Sequence, residues 1–527
     1  MQSSLLPKMR GTVPALIADR KKSDMLLFLS IFVAVAGITP LLAWGGATIG
    51  LQYLLGILGA LAAAVIAVRW PSTGLYIVAG CVVLVEQAPI ATPDFTDHLY
   101  IFYWPSSLTG LPERPIGFFM LLILLALMIQ RLMKHQRILS GGGLLWPFVG
   151  FLLCVVWGII HGLQSGGDYK IIILEVRPFW YFFISYLLAY NLITEKRQIR
   201  ALFWIIIVGA GVKGLQGTYI YLFVLHGNLA NAHEIMAHEE SFFFVAVILL
   251  FLLFCMHYRY RSQMYAILAV SPVVLIALFA NQRRADYLAL LVGIGVAVGL
   301  VYIIKPQIRK RLAVIAIFCL VLGAGYVLAF ANDSGALGEP ARAIITVFNP
   351  SSTNANDAAS DLYREYENND LQATLKLDPL LGYGFGKEFL QPYVLPNILS
   401  LDPYYLYIPH NTIYWVWMRL GDIGYVLLWY LFSAAVVRGC QIVRRLRDPH
   451  LQVIAIFVVA VTIMEIVVAY ADYQLYFYRN VLYVGLLFGV LMRLPALDEG
   501  EGKEQPVHED THRIGHIARS PVGSKRA

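Results

Sequence analysis

The sequence predicts an all-α protein that crosses a membrane many times. Of its 527 residues, 59% are hydrophobic and only 14% are charged, whereas soluble proteins carry about a quarter charged residues. The apolar residues are gathered into stretches of roughly twenty, the length that a helix needs to cross a hydrocarbon core of about 30 Å. This composition excludes a soluble enzyme with one large core, a secreted disulfide scaffold and a disordered chain.

About fourteen apolar stretches are long enough to be transmembrane helices. The first, residues 25–44, has no small-residue cleavage site and is followed by many further stretches, so we interpret it as a membrane helix and not as a signal peptide. The others are predicted at residues 46–68, 74–92, 115–133, 144–162, 171–192, 199–224, 241–257, 263–280, 285–304, 312–331, 412–437, 450–470 and 476–493. We find no internal repeat among them.

The charged loops predict the orientation of the spans, because basic residues concentrate in cytoplasmic loops. Counted from a cytoplasmic N-terminus, alternate turns carry the basic clusters, and the opposite turns are poor in Lys and Arg. The clusters lie at residues 69, 131–137, 196–200, 259–261, 305–311 and 438–447. We therefore expect both termini in the cytoplasm, and we assign the net charge of +7 to topology and anionic membrane lipids, with no nucleic-acid partner.

This topology divides the chain into five parts. A polar segment, residues 1–24, precedes eleven spans in residues 25–331, and three more spans occupy residues 411–493. Residues 494–527 are mixed in charge and lack aromatic residues, which predicts a disordered cytoplasmic tail. Residues 332–410 form a large loop on the outer side. Structureless loops of this length are uncommon, and its amphipathic stretch SDLYREYENNDLQATLKL predicts a mostly helical cap.

Several cations break the positive-inside pattern. Arg283 and Arg284 stand at the outer junction of two spans, Arg177 lies early in a span that starts outside, and Lys213 lies within a span. The others are two arginines of the large loop and one that follows an outer turn, namely Arg342, Arg364 and Arg479. A charge at membrane depth costs a few kcal/mol, so such residues mark functional sites or specific ion pairs.

Two interpretations of these cations stay open. Each one alone is explained equally well by snorkelling to the membrane interface or by a nearby carboxylate, such as Glu175 for Arg177 or Asp286 for Arg284. As a set of outer-facing arginines beside a large cap, they favour a bound anion. Phosphate or pyrophosphate is the natural choice, because a guanidinium group binds it through two hydrogen bonds.

A second signal lies where the large loop ends, in the segment IPHNTIYWVWMRLGDIG. Pro409 favours an extended residue before it, and Asn411 or Thr412 can cap the helix that follows. His410 then lies at the N-terminus of a helix that enters the membrane from outside. The unpaired N–H groups and the helix dipole favour an anion there, and an imidazole can act as a general base. A capping or interfacial histidine is the alternative.

Upstream, the stretch DPLLGYGFGKEF places Gly382, Gly384 and Gly386 at alternate positions. The spacing and the lack of a strand–turn–helix context exclude a dinucleotide-binding fingerprint. The glycines predict a tight loop in which backbone closely approaches another part of the protein or a ligand.

Three motifs therefore follow one another on the predicted outer side. QRRADYLALL opens an apolar span, PLLGYGFG lies late in the large loop, and His410-Asn411 is followed by Gly421 and Gly424. In this order and spacing, over about residues 170–440, they resemble the O-antigen ligase and Wzy-type polysaccharide polymerase superfamily. Members of that superfamily have a many-spanning membrane fold of the glycosyltransferase C type.

The resemblance implies a membrane enzyme that needs no metal or other cofactor. It would transfer a glycan from an undecaprenyl-pyrophosphate donor to a glycan or lipid acceptor on the periplasmic face of a bacterial inner membrane. His410 would activate the acceptor hydroxyl, while Arg283 and Arg177 would bind the pyrophosphate. Gln282 and Ala285 replace the serine and glycine that commonly flank the family's arginine, so Arg284 is an equal candidate. Supporting roles are expected for Asn411, Gly382, Gly384, Arg364 and Arg479.

Other functions remain as alternatives. Asp94 and Asp97, in an early outer loop, suit a metal-dependent glycosyltransferase of the same broad fold. A transporter or lipid flippase is a different class, although transporters usually keep their charges near the midplane and contain repeats.

In the stretch NAHEIMAHEE, His233 and His238 are five residues apart and thus about 140° apart on a helix. This spacing disfavours a zinc site. The remaining interpretations of the stretch are a glycan contact or a solvated loop end. The sequence does not separate a polymerase from a ligase.

Overall fold

The computed structural model describes residues 51–86, 101–102, 112–229, 234–257, 261–331, 333, 338, 341–342, 344–345, 355–399 and 403–500. The chain divides into two compact units, residues 1–70 and residues 71–527. In the first unit the described part is one helix, α1 (Leu51–Arg69), followed by Trp70. The site described below lies entirely in the second unit.

All the long regular elements of the described ranges in the second unit are helices. In chain order they are α2 (Pro71–Leu84), α3 (Pro115–Met133), α4 (Leu145–Gln164), α5 (Tyr169–Leu192), α6 (Lys196–Tyr219), α7 (His238–His257), α8 (Arg261–Ala280), α9 (Arg284–Ile304), α10 (Arg309–Phe330), α11 (Ala355–Leu375), α12 (Thr412–Arg445), α13 (Pro449–Ala469) and α14 (Tyr478–Gly500). One π-helical turn, Ile220–Val224, continues α6.

Ten helices of the described residues are long and apolar enough to cross a membrane, namely α3 to α9 and α12 to α14. The predicted all-helical, many-spanning class is therefore confirmed. The predicted count of about fourteen spans is not matched within these residues, because α2 and the apolar parts of α1 and α10 are shorter. The predicted first span, residues 25–44, lies outside the described residues.

At three places the helices differ in extent from the predicted segments. The span predicted at 74–92 gives a helix that ends at Leu84, and Arg479 donates hydrogen bonds to the carbonyls of Val82 (2.7 Å) and Val83 (3.1 Å) there. The span predicted to end at 437 continues as helix α12 to Arg445. Helix α14 continues to Gly500, so the first residues of the predicted disordered tail are helical. Hydrophobicity marks the membrane core, and a helix can extend beyond it into water.

Small residues bring the membrane helices close together. Gly485 and Gly489 of α14 lie against α5, where a Cβ atom would meet Ser185 at the first glycine and Ala189 at the second. Close backbone approach at such residues is a main source of helix association where no hydrophobic effect drives it.

Helix α12 is broken at Gly421, whose φ of 65° and ψ of −170° are not helical. The loop after α11 supplies partners for the freed backbone groups. Asp422 N donates to Pro379 O at 2.8 Å, and Tyr383 N donates to Met418 O at 2.8 Å. The loop and α12 thus satisfy each other's main-chain groups, which unpaired would be costly next to a membrane.

The predicted tight glycine loop is confirmed. Gly382, Gly384 and Gly386 have φ values of 85°, 80° and 84°, in the left-handed region that favours glycine. A Cβ atom on Gly382 would collide with the backbone of α12, and one on Gly384 would collide with Gly162 of α4. The close approach is to the protein's own backbone.

The large loop contains the predicted helical segment, α11, which covers Ala355–Leu375. A buried ion pair anchors the rest of the loop to the membrane helices. Arg419 of α12 pairs with Glu175 of α5 at 2.7 Å, and it donates to the carbonyls of Gly384 (3.0 Å) and Tyr407 (2.9 Å). Both sides of the loop are therefore fixed to one arginine before the chain reaches His410.

Candidate active site

His410 immediately precedes the N-terminal cap of α12. Helix α12 begins at Thr412, and the side chain of Asn411 accepts a hydrogen bond from Tyr414 N at 3.0 Å. Of the two predicted capping residues, Asn411 is thus the one that caps the helix. Thr412 instead donates its hydroxyl to Ala469 O at 2.9 Å, which fixes this end of α12 to the end of α13. The predicted position of His410 at a helix start is confirmed.

Glu367 of α11 holds His410 through both of its carboxylate oxygens. Oε1 lies 3.1 Å from the imidazole Nδ1, and Oε2 accepts from the backbone N–H of His410 at 3.0 Å. Glu367 is only 1% exposed. A carboxylate at Nδ1 assigns the proton to that nitrogen, which makes Nε2 the ring atom that can accept a proton. The same carboxylate would stabilise the imidazolium that forms.

Two aromatic rings surround the imidazole. The Tyr473 ring lies with its centroid 4.4 Å from that of His410, and the Tyr363 ring lies edge-on at 5.6 Å. Tyr473 follows α13 and Tyr363 belongs to α11, so two separate elements restrict the rotation of the histidine ring. Its Nε2 is therefore presented in one direction.

A chain of charged side chains begins next to Tyr473. Asp472 contacts Nδ1 of His238 through both oxygens at 3.0 Å, and Nε2 of His238 lies 2.9 Å from Glu234. Glu234 in turn pairs with Arg283. Burial by itself raises the pKa of Asp472, but His238 and Arg283 outweigh this and hold its pKa far below the ordinary range. Asp472 is therefore a fixed negative charge.

The turn between α8 and α9 presents Arg283. The Asn281 side chain accepts from the backbone N–H groups of Ile235 (3.1 Å) and Met236 (2.9 Å), which ties the turn to the start of α7. Gln282 has a φ of 53°, a left-handed conformation that is uncommon for a residue other than glycine and tends to occur at functional sites. Arg283 is extended and caps α9.

Two arginines near His410 have unused hydrogen-bond donors. Within the part of the chain that the structure describes, Nε of Arg283 and Nε of Arg364 are buried and have no hydrogen-bond partner. Asp361 lies between Arg364 (3.7 Å) and Arg284 (2.9 Å). Burial lowers the pKa of Arg283 to about 10, and nearby Asp472 partly offsets this effect. Arg283 thus stays cationic at neutral pH, with a donor to offer to an anion.

Arg177 lies apart from this group of residues. Its guanidinium donates to Tyr478 Oη (2.8 Å) and to Pro112 O (2.6 Å), and its Nε lies 3.7 Å from Glu113. Gly382 and Gly384 lie in the loop that packs on the broken helix α12, so their contacts are with the scaffold. The structure therefore brings together His410, Asn411, Arg283, Arg284 and Arg364, and it places the other predicted site residues elsewhere.

Neither of the two ion pairs considered for the unusual cations is formed. Glu175 pairs with Arg419 and not with Arg177, and Arg284 pairs with Asp361 and not with Asp286. Asp286 is buried, and within the described residues its Oδ1 has no hydrogen-bond partner.

Arg479 belongs to a second cluster of charges, which we call the buried cluster. It consists of Glu86, Lys213, Glu239, Glu240 and Arg479, all at most 2% exposed. Lys213 Nζ contacts Glu86 at 2.5 Å and Glu240 at 3.7 Å, and Arg479 contacts Glu240 at 2.6 Å. This cluster joins the ends of α2, α7 and α14 to the middle of α6.

Sequence reasoning missed Glu367, Asp472 and Tyr473. Glu367 is one of several acids in the predicted cap helix, and only the fold distinguishes it from Glu365, which is exposed. Asp472 and Tyr473 lie in a short turn that the hydrophobicity pattern skips. His238 and Glu234 had a signal in the stretch NAHEIMAHEE, whose spacing disfavours a zinc site and leaves open a glycan contact or a solvated loop end.

Among the described residues, no three His, Cys, Asp or Glu side chains are grouped so that they could bind a metal ion. The residues of the metal-dependent alternative, Asp94 and Asp97, and the first histidine of the zinc-like stretch, His233, lie outside the described residues.

These observations define a many-spanning helical membrane protein with a histidine–carboxylate pair beside half-buried arginines. Residues 269–429 match the family model described as O-antigen ligase. The predicted resemblance to the O-antigen ligase and Wzy superfamily is therefore confirmed over this part of the chain, and the matched family implies a glycosyl-transferring enzyme. The matched range contains Arg283, Glu367 and His410. No curated protein matches the chain.

Proposed function

We propose that the protein transfers a glycan from an undecaprenyl-pyrophosphate donor to a hydroxyl of a second molecule. The observation that carries this proposal is the arrangement at His410. A histidine oriented by a buried carboxylate lies in one cluster with Arg283 and Arg364, whose Nε donors are buried and unused in the described residues. A base next to unfilled anion-binding donors is what a transfer away from a phosphate leaving group requires.

In the proposed reaction the acceptor oxygen attacks the anomeric carbon of the donor. The new glycosidic C–O bond forms as the bond from that carbon to the pyrophosphate oxygen breaks. Nε2 of His410 takes the proton of the attacking hydroxyl, and Glu367 stabilises the resulting imidazolium. The electron pair of the broken bond stays on the pyrophosphate, whose added charge Arg283, Arg284 and Arg364 stabilise. Direct attack inverts the anomeric configuration.

Asp472, His238 and Glu234 hold Arg283 in this scheme. A largely buried arginine without a fixed counter-charge would be costly. Glu234 supplies this counter-charge to Arg283 and leaves the Nε donor of Arg283 unused. Arg177 and Arg479 have no place in the reaction, since their guanidinium groups contact other parts of the scaffold. This assignment differs from the sequence-based expectation, which placed Arg177 on the pyrophosphate.

The membrane side of the reaction follows from the charge pattern. The cap, His410 and the arginine group lie at the helix ends opposite the basic clusters Arg131–Arg137 and Arg438–Arg447. Under the positive-inside rule these basic ends are cytoplasmic. We therefore place the reaction on the periplasmic face of the inner membrane, where a glycan carried by a flipped lipid donor is available.

The test is a reconstituted transfer assay with a defined undecaprenyl-pyrophosphate glycan, with and without a second acceptor. We expect product with the wild-type chain and a large loss with His410→Ala. His161→Ala, which changes a histidine outside the cluster, should match the wild type. Unchanged product with His410→Ala would contradict the role of His410.

Two further arms of the same assay separate the remaining alternatives. Activity should survive a chelator, whereas full loss would favour the metal-dependent reaction through Asp94 and Asp97. A ladder of long chains on the carrier lipid identifies a polymerase, and chains moved to another molecule identify a ligase. Transport of the intact donor across vesicles without any new glycosidic bond would support the flippase alternative.

A further inference from the structure

The loop between α11 and His410 pairs with two membrane helices well inside their ends. Phe385 N donates to Gly158 O at 3.3 Å, six residues before the end of α4, which is about 9 Å of helix. Tyr383 N donates to Met418 O at 2.8 Å, six residues after the start of α12. Because α4 and α12 are both long and apolar enough to span a membrane, the loop lies beside membrane-spanning segments and not only above them.

Three leucines of this loop, Leu377, Leu380 and Leu381, expose their side chains. Leu377 is 57% exposed, Leu380 58% and Leu381 37%. We call these three residues the leucine tip. Exposed apolar side chains gathered in one short segment indicate an interaction surface. The neighbouring main-chain groups are paired, since Leu381 N and Gly382 N both donate to Asp378, so the segment can lie in an apolar medium.

The leucine tip continues the exposed apolar face of α12. That face consists of residues spaced three, four and seven apart and thus on one side of the helix, all between 42% and 62% exposed, namely Ile423, Val426, Tyr430 and Val437. Ile423 N donates to Leu380 O at 3.4 Å, which places the tip at the end of this face. Trp417 and Tyr425 stack there with centroids 4.6 Å apart, as aromatic residues do at membrane interfaces.

We propose that the leucine tip inserts into the membrane leaflet on the His410 side and contacts lipid acyl chains. The exposed face of α12 is covered by lipid because α12 spans the membrane, and the tip extends this face without a break. A lipid surface therefore covers the tip more naturally than a protein partner does. The loop that carries His410 would be anchored in the bilayer at one end and to Arg419 at the other.

The test measures the depth of the tip in a bilayer. Leu377→Cys and Leu380→Cys are made singly in full-length protein whose five native cysteines are replaced by alanine, then labelled with an environment-sensitive fluorophore and reconstituted into phosphatidylcholine vesicles. Glu365→Cys, an exposed polar position on α11, is the matched control. Quenching is compared between lipids brominated on the acyl chain and aqueous iodide.

At both leucine positions we expect loss of fluorescence with the brominated lipids and little loss with iodide. Glu365→Cys should give the reverse. Iodide quenching at Leu380→Cys as strong as at Glu365→Cys, without quenching by brominated lipids, would overturn the proposal. Protection from both quenchers at the leucine positions would also overturn it and would indicate a protein surface, including a second copy of the chain. Both leucines are exposed, so these substitutions leave the packing intact.

Discussion

Two groups of charges lie on the same side of the helix bundle, and they differ in whether their arginine has an unused hydrogen-bond donor. In the buried cluster around Lys213 and Arg479, every guanidinium nitrogen of Arg479 has a protein acceptor. In the group around His410 and Arg283, Nε of Arg283 lacks one among the described residues, and the ring of His410 is 17% exposed. The first group is closed to solvent and the second is partly open.

This difference separates two reasons for placing charge near a membrane. A closed set of charges can stabilise a helix end, as Arg479 does for the carbonyls of α2. A set with unused donors is costly unless a ligand completes it. Position within the membrane alone does not distinguish the two. The sequence pattern reports only this position, so it predicts Arg177, Arg479 and Arg283 as members of one site.

The largest expected effect is on stability. Arg479→Ala leaves the buried Glu239 without its arginine partner and leaves Glu240 with only Lys213, at 3.7 Å. Removal of one partner costs about 3–5 kcal/mol in comparable buried pairs. We expect a strongly reduced yield of folded protein and a lower melting temperature, measured by thermal unfolding in detergent. Arg309→Ala, at an exposed arginine of α10, is the control and should change little. A stable Arg479→Ala with normal melting would show that the buried cluster is not structural.

The next largest effect is expected for Glu367→Gln, which tests whether Glu367 assists His410 in catalysis and not in substrate binding. Glu367→Gln keeps the shape of the side chain but removes the charge that stabilises the imidazolium, so we expect kcat to fall about 10- to 100-fold with KM and melting temperature nearly unchanged. Glu365→Gln on the same helix is the matched control. Steady-state kinetics with a lipid-linked donor checks this, and a fall in melting temperature without a fall in kcat would assign Glu367 to folding alone.

A loss of similar size, but in kcat/KM, is expected for Arg283→Lys. Lysine keeps the positive charge but loses the planar pair of donors, and a hydrogen bond to a charged group contributes about 1.5–3 kcal/mol. We expect kcat/KM to fall by about one to two orders of magnitude. Inorganic pyrophosphate should also inhibit the variant more weakly than the wild type. Equal inhibition by pyrophosphate in both proteins would remove Arg283 from the anion site.

The smallest effect is expected for Arg364→Gln, because Arg364 is more exposed and lies beyond Asp361. We expect a fall of about threefold to tenfold in kcat/KM, stronger at low salt than at high salt. Lys376→Gln, at an exposed cation just after α11, should show no such change. A salt dependence that is identical for both variants would mean that Arg364 contributes only to the general charge of the cap.

The sequence predicted the features that depend on local patterns. Hydrophobic stretches located the helices, and the Pro-His-Asn order located the start of α12 with Asn411 as its cap. Alternating glycines located the loop that approaches backbone closely. Each of these signals lies within about twenty residues of chain.

The partners of the site could not be predicted, because they are joined by the fold. Glu367 and His410 are 43 residues apart in the chain, and His238 and Asp472 are 234 apart. The break of α12 at Gly421 also escaped prediction, since the loop that stabilises it comes from another part of the chain. Helix ends such as Leu84 depend on a distant cap, Arg479, which a hydrophobicity pattern does not reveal.

One measurement tests the central claim that the two charged groups have different purposes. Single-turnover transfer rate and melting temperature are measured on the same preparations of His410→Ala and Arg479→Ala, with rates divided by the folded fraction. We expect His410→Ala to lose about 10²- to 10⁴-fold in rate and to keep the wild-type melting temperature. Arg479→Ala should lose stability but keep its rate per folded molecule. The same pattern in both variants, or a wild-type rate in His410→Ala, would show that the two charged groups do not differ in purpose.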